Sequence, residues 1–223
     1  MLGRAAIVMW WDFPPPMQAE IEDWHSHEHF PERLGIPGFL RGSRWVALDG
    51  RPSYFIAYEA VRLATITAGP YLERLNNPTP WSQRMMPHHL NMVRSLCRVR
   101  ARAGGGHAYA MATVRFSPRR GSGLIRWLAE ELLPQAQKRK GLTAAHLLQA
   151  TPTPAAQTAE QKIRGGDGTA DWVLLLNGYD ADAVRTLASG EASPDALAAR
   201  GAKPDATAGL YRLSYSATAK DFT

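Results

Sequence analysis

Three of the chain's seven histidines, His25, His27 and His29, fall within five residues, with Glu28 among them and Trp24 in front. No other stretch concentrates side chains that exchange protons near neutral pH. Such a run supports two kinds of chemistry directly. A histidine held by a carboxylate acts as a general base and, once protonated, as a general acid. Two histidines at i, i+4, here His25 and His29, can also share a helix face and ligate a metal, with Glu22, Glu28 or Glu32 adding a carboxylate. Against the metal, a true His-Glu-x-x-His run is missing, and only His88 and His89 could help from afar. A bland reading competes with both, because histidines near a helix C-terminus are favoured by the helix dipole alone.

The elements that must position these groups follow from the hydrophobic pattern. Arg4 to Asp12 reads as a strand with a continuous apolar run, Ile7 to Trp11, suited to burial on both faces. A helix follows from Pro16 to about Phe30, with Met17, Ile21, Trp24 and Glu28 on one stripe, His25 at its border and His29 further round. This places the Glu28 carboxylate within side-chain reach of His25. Pro31 is expected to stop the helix. Strands at Phe39–Leu48 and Ser53–Glu59 flank an Asp49-Gly50 hairpin signal. A helix over Ala60–Leu75, a loop over Asn76–Pro87 and a strand over Leu90–Arg102 complete a β-α-β-β-α-β unit, the ferredoxin-like order.

Gly104 to Gly106 form a joint, and the order then repeats. Strands are expected at His107–Phe116, Leu142–Ala150, Asp171–Asn177 and Gly209–Ser216. Helices are expected at Gly123–Lys140 and from Ala181 to Leu187 or beyond. Thr151 to Gly168 reads as a mobile polar surface loop. The fold class is therefore α+β, with one unit over residues 1–103 and a second, degenerate unit over 104–223. Two such sheets, each covered by helices on one face, must bury the other, and packing them together gives an intrachain barrel with a cavity expected between the sheets.

This order resembles the dimeric α+β barrel superfamily. The first half, residues 4 to 102, is similar to EthD-like proteins through Trp24, His25, His29-Phe30-Pro31 and Pro37-Gly38-Phe39. The resemblance implies a small-molecule protein. Members include isomerases, cofactor-independent monooxygenases and haem-binding enzymes, and many build the barrel from two chains. The second unit's first helix, Leu124 to Leu133, holds no histidine, so one site per chain is expected, on the first unit.

The resulting expectation is proton-transfer chemistry, as an isomerase, a lyase or a cofactor-free oxygenase, with His25, Glu28 and His29 as catalytic residues. A haem-binding protein with a histidine as axial ligand, or a non-catalytic ligand-binding barrel, is the alternative. Trp24, Phe39, Arg41, Trp45, Tyr54 and Tyr58 are the expected substrate-binding residues, an aromatic wall with one cation fit for a planar anionic ligand. No cofactor is required by this chemistry, and haem or a divalent metal is the departure from it.

Composition narrows the partners. A net charge of +6 would suit an anionic partner, but the arginines are dispersed and no zinc-finger, RNP-like or helix-turn-helix pattern occurs, which argues against nucleic acid. The segment Ala5 to Trp11 is too short to span a bilayer, so no membrane partner is expected. One cysteine, Cys97, excludes an intrachain disulfide. With no secretory signal pattern, a cytoplasmic monomer or homodimer binding a small hydrophobic or anionic organic ligand is expected.

Overall fold

The computed structural model describes residues 1–67, 69–152 and 156–222. Eight strands, β1 (Ala5–Asp12), β2 (Phe39–Ala47), β3 (Tyr54–Ala60), β4 (Leu90–Gly104), β5 (Ala110–Phe116), β6 (Leu142–Ala150), β7 (Trp172–Gly178) and β8 (Thr207–Thr218), close into one antiparallel barrel in the order β1-β3-β2-β8-β5-β7-β6-β4. Each half supplies four neighbouring strands. The halves are sewn together along two seams, β2 with β8 and β4 with β6, so that Arg41 pairs with Thr218 and Cys97 with Ala150. Closure satisfies the backbone groups that an open sheet would leave at its edges.

The barrel interior is filled rather than hollow. Val8, Trp10, Trp45, Phe55, Leu148, Val173 and Leu175 form a buried cluster drawn almost entirely from strands, and Trp10, Trp45 and Phe55 have no exposed surface. This departs from the expectation of a cavity between the sheets: among the described residues, large aromatic side chains that alternate inward occupy that space. Two other apolar clusters lie outside the barrel, one per unit, between the helices and the outer face of the sheet. A ligand site of the first unit must therefore lie in that outer layer.

The first helix does not stop at Pro31. It runs Gln18–Trp24, widens into a π turn at His25–His29 and resumes as Phe30–Leu34. The Phe30 amide reaches back to the His25 carbonyl. This i→i+5 step relaxes the hydrogen-bond ladder just ahead of the proline, which can neither donate nor tolerate a close i−4 carbonyl. The second unit repeats the device, with a π turn at Leu128–Leu132 followed by Pro134. In both units a glycine at positive φ, Gly38 (95°) or Gly141 (90°), then opens the next strand.

One helix expectation and two loop expectations also change. The expected helix over Ala60–Leu75 is two pieces, Leu63–Thr67 and Gly69–Asn76, with Ala68 outside the described residues. The Asn76–Pro87 loop contains a helix, Pro80–Met85, capped by the Thr79 hydroxyl on the Ser82 amide. The Thr151–Gly168 loop contains a helix, Ala159–Ile163, started by a full capping box between Thr158 and Gln161; residues 153–155 of that expectation lie outside the described residues. Among the described residues no helix is long and apolar enough to cross a membrane.

Candidate active site

The π turn carries His25 and His29 into the layer between the first helix and the sheet, where both are buried. The helix can lie this close because β2 has Gly42 beneath it: a Cβ there would sit 2.4 Å from the Phe30 ring. Arg44 fastens the contact from β2, donating to the Glu22 carbonyl at 2.9 Å and the Ser26 hydroxyl at 3.1 Å.

The two imidazole rings are 5.4 Å apart. Trp24 stacks on His25 at 5.5 Å and lies 4.5 Å from His29, while Phe30 covers the far side of His25 at 4.3 Å. Nε2 of His25 shares a hydrogen bond of 3.1 Å with the Tyr58 hydroxyl of β3. Nδ1 of His25 and Nδ1 of His29 are buried without a protein partner. A third imidazole, His89, lies behind Trp11 at 5.0 Å with its Nδ1 on the Met85 carbonyl at 3.2 Å.

Burial governs the charge state here. It pushes the His25 pKa well below its ordinary value, and the positive charges of Arg44 and Arg33 add to the effect. His29 is lowered in the same way, by burial and then by Arg33. His89 is pushed down to about 3 by burial. Burial holds Tyr58 well above its ordinary value. At neutral pH the site therefore presents neutral imidazoles, each keeping one basic ring nitrogen, beside an un-ionised phenol.

Charge enters from the rim. Arg33, three residues past the π turn's aromatic Phe30, forms a close buried ion pair with Glu160 and a longer one with Glu32 at 3.4 Å. Burial works against the Arg33 cation, but Glu160 holds its pKa above the ordinary value. Glu160 belongs to the short helix Ala159–Ile163, which Arg164 pins further by bonds of 2.6 and 2.8 Å to Asp167. The segment expected to be a loose loop thus covers the site. A cavity of about 20 Å³ remains beneath it, bordered by His25, His29, His89, Tyr58, Arg33 and Arg94 among others. That is room for about one water.

The second unit serves as an internal comparison. The matching π turns, prolines and strand registers place Leu128, Leu132, Ala136 and Leu176 where the first unit has His25, His29, Arg33 and Tyr58. The same register places Ala208 opposite Val114 as Arg94 lies opposite Met9. The architecture is built equally well from small and apolar side chains at these positions, so packing alone does not call for the polar set.

Not every residue expected in the site is there. Glu28 does not meet His25. Its Oε1 accepts from the Trp24 indole (3.0 Å), Thr79 (2.5 Å) and Ser82 (3.2 Å), because the wider π turn separates i from i+3 and these donors hold the carboxylate on the other side of Trp24. Arg41 and Trp45 face the barrel interior, where Arg41 bonds Glu59 at 2.7 Å and Trp45 lies 5.4 Å from His107. A bulge between Phe39 and Arg41 reverses the strand's parity, so these two do not share a face with Phe39. Phe39 packs on Tyr58 and Tyr71 in the outer layer. Tyr54 lies in the same layer, donating to Glu22 at 2.8 Å. Sequence reasoning did not find Arg33, Tyr71 or Glu160, and treated His89 only as a distant metal donor. The Thr-x-x-Gln spacing at Thr158–Gln161 was the available signal that the covering segment is ordered.

The two cofactor departures do not match this geometry. Among the described residues, no group of three or more His, Cys, Asp or Glu side chains is arranged to hold a metal ion. Haem needs a pocket of several hundred Å³ beside the ligating ring nitrogen. The cavity against His25, His29 and His89 is about 20 Å³; these histidines do not fit a haem.

No family model and no curated protein matches this sequence. Solved structures do match the fold. An anthrone oxidase-like protein is 11% identical with a TM-score of 0.66, over 98% of this chain and 94% of the other. A candidate monooxygenase from Fusobacterium nucleatum is 8% identical with a TM-score of 0.59, over 98% and 96% of the two chains. A candidate chlorite dismutase is 12% identical with a TM-score of 0.54, over 100% and 98%. The likeness spans both halves, and this chain shares their fold, with two ferredoxin-like units closed into one antiparallel barrel in a single polypeptide.

Proposed function

We propose that the first unit is an enzyme site for proton-transfer chemistry on a small hydrophobic organic ligand, with His25 as the base and His29 and Tyr58 beside it. The observation that carries this reading is the buried pair of neutral imidazoles, each with an unpartnered Nδ1, at positions the second unit fills with Leu128 and Leu132. Among the isomerase, lyase and cofactor-free oxygenase readings of an EthD-like protein, the last is favoured. The most similar structure described above is named for oxidation of an anthrone, a ketone with an acidic C–H.

The reaction needs no resident cofactor. His25 removes the acidic proton, and the carbanion delivers its electrons to dioxygen, forming a C–O bond. The peroxide takes the proton back from His25, then loses water to leave a C=O group. Neutral imidazole in an apolar layer is suited to this, because burial disfavours its charged form and lets the proton return. Glu28 is a positioning residue, holding the indole of Trp24 against both histidines.

Oxygen uptake with hydroxylated anthrones and related aryl ketones tests the reading. His25→Ala should lower the rate by about 10²- to 10⁴-fold. Turnover that survives His25→Ala and His29→Ala together would remove both residues from the mechanism. Glu28→Ala should disturb KM and stability more than the acid limb of the pH profile.

A further inference from the structure

Three guanidiniums line the histidine cavity, and the chain treats them differently. Arg33 has Glu160 and Glu32, and Arg164 has Asp167 and Glu160. Arg94, on the outer face of β4 and only 6% exposed, has no carboxylate within ion-pair distance among the described residues. Its Nη2 donates to the Tyr71 hydroxyl at 2.9 Å, and its guanidinium lies 5.9 Å from the centre of that ring. Asp167 and Glu160 act on it only from beyond ion-pair distance, and a buried cation without a direct ionic partner is costly. Nor does the fold need this one, since Ala208 stands at the matching place in the second unit.

A second cavity, about 180 Å³, lies against the same side chain. Ile66, Leu72, Leu75 and Leu96 give it an apolar wall, and its rim includes the exposed Asn76 and Gln157. It shares Tyr71, Leu75 and Arg94 with the small histidine cavity behind it. An apolar space of about 150 Å³ takes one benzene ring, so this antechamber has the size of a single aromatic ring, with a cation at its inner end.

We propose that Arg94 binds an ionised oxygen, a carboxylate or phenolate, on an aromatic ligand whose ring occupies the antechamber and whose reacting carbon faces the histidines. This inference rests on the reading that His25 and His29 are the reacting centre. Tyr71 holds the guanidinium until the ligand takes it over. Arginine suits the task, since its planar fork meets a carboxylate with two parallel hydrogen bonds. Arg94 would then decide which molecules enter, and an uncharged ring of the same shape would be admitted poorly.

The test is a titration of the intact protein with benzoate and with its neutral isostere benzamide, read by tryptophan fluorescence and calorimetry. Benzoate should bind about tenfold or more tightly than benzamide, the worth of one charged hydrogen-bonded contact. Arg94→Met should erase the preference, and Tyr71→Phe, which frees the guanidinium, should strengthen benzoate binding and leave benzamide unchanged. His25→Ala should keep the preference. No binding, equal binding of the two probes, or a preference that persists in Arg94→Met overturns the inference. If Arg94→Met does not fold, Tyr71→Phe decides, and no gain for benzoate overturns it. A benzoate preference in a protein whose oxygen uptake never depends on His25 would retain the anion site and reject the oxidation.

Discussion

Replacing His29 by leucine should make this protein more stable, and more so in acid. His29 is buried, its Nδ1 has no protein partner, and the second unit carries Leu132 at the same point of the same π turn. Removing an unsatisfied buried polar atom is worth about 1–3 kcal/mol. For a chain of this length each kcal/mol raises Tm by about 2–4 °C. Titration adds a second signature. The folded protein keeps His29 neutral, with a pKa well below its ordinary 6.5, because of burial and then Arg33. The unfolded chain takes up a proton as pH falls below that ordinary value. Stability is therefore fully present above about pH 6.5 and is lost below it, by about 1.4 kcal/mol per pH unit, or about 2 kcal/mol between pH 7 and pH 5. The leucine variant lacks the His29 contribution to this loss, so its advantage over the parent should widen by that amount. Urea denaturation of both proteins at pH 7.5, 6 and 5, followed by tryptophan fluorescence, measures both effects. A variant less stable than its parent, or an advantage that does not change with pH, would refute the reasoning. The first outcome would mean that the imidazole is well satisfied, the second that it is protonated in the folded state.

Other perturbations bear on the elements around the site. Glu160→Ala strands the Arg33 cation in a buried position and should cost about 3–5 kcal/mol in urea unfolding; a loss under 1 kcal/mol would show that Glu32 alone suffices. Gly42→Ala places a methyl group against the Phe30 ring and should cost about 1–3 kcal/mol, seen as a lower Tm. Thr158→Ala removes the capping box of the covering helix, worth about 1 kcal/mol, and should speed amide exchange at Ala159–Ile163 without changing exchange in β1; equal acceleration in both would mean that the segment opens only with the whole molecule. Wild-type stability should also fall below pH 6.5 through His25, His89, His107 and His146, so removing His29 should lessen that slope without abolishing it.

Much of the architecture was legible in the residue pattern. Alternation and turn residues placed all eight strands to within a few positions, and the repeated β-α-β-β-α-β order implied two units and a barrel. Legibility failed where a local irregularity shifts the phase. The bulge between Phe39 and Arg41 moves Arg41 and Trp45 inside the barrel, and no residue type marks it. The π turn at His25–His29 takes Glu28 away from His25, and periodicity read at 100° per residue assumes that no such turn occurs. Its marker was present twice, as Pro31 and Pro134, each followed by a glycine before the next strand. Taken singly, each proline reads as a helix end. Arg33, Arg94 and Glu160 are ordinary surface residue types, and only long-range packing buries them.

The seam between β2 and β8 sets an order of events during synthesis. Arg41 and Trp45 pair in register with Thr218 and Leu213, so the flank of the first unit stays unzipped until β8 has been made. Such distant pairing makes assembly slow, and an unpaired flank in the meantime invites aggregation. The newborn half-barrel is therefore the vulnerable species in this protein's life, and removal of β8 should be felt first along β2, at the far end of the sequence.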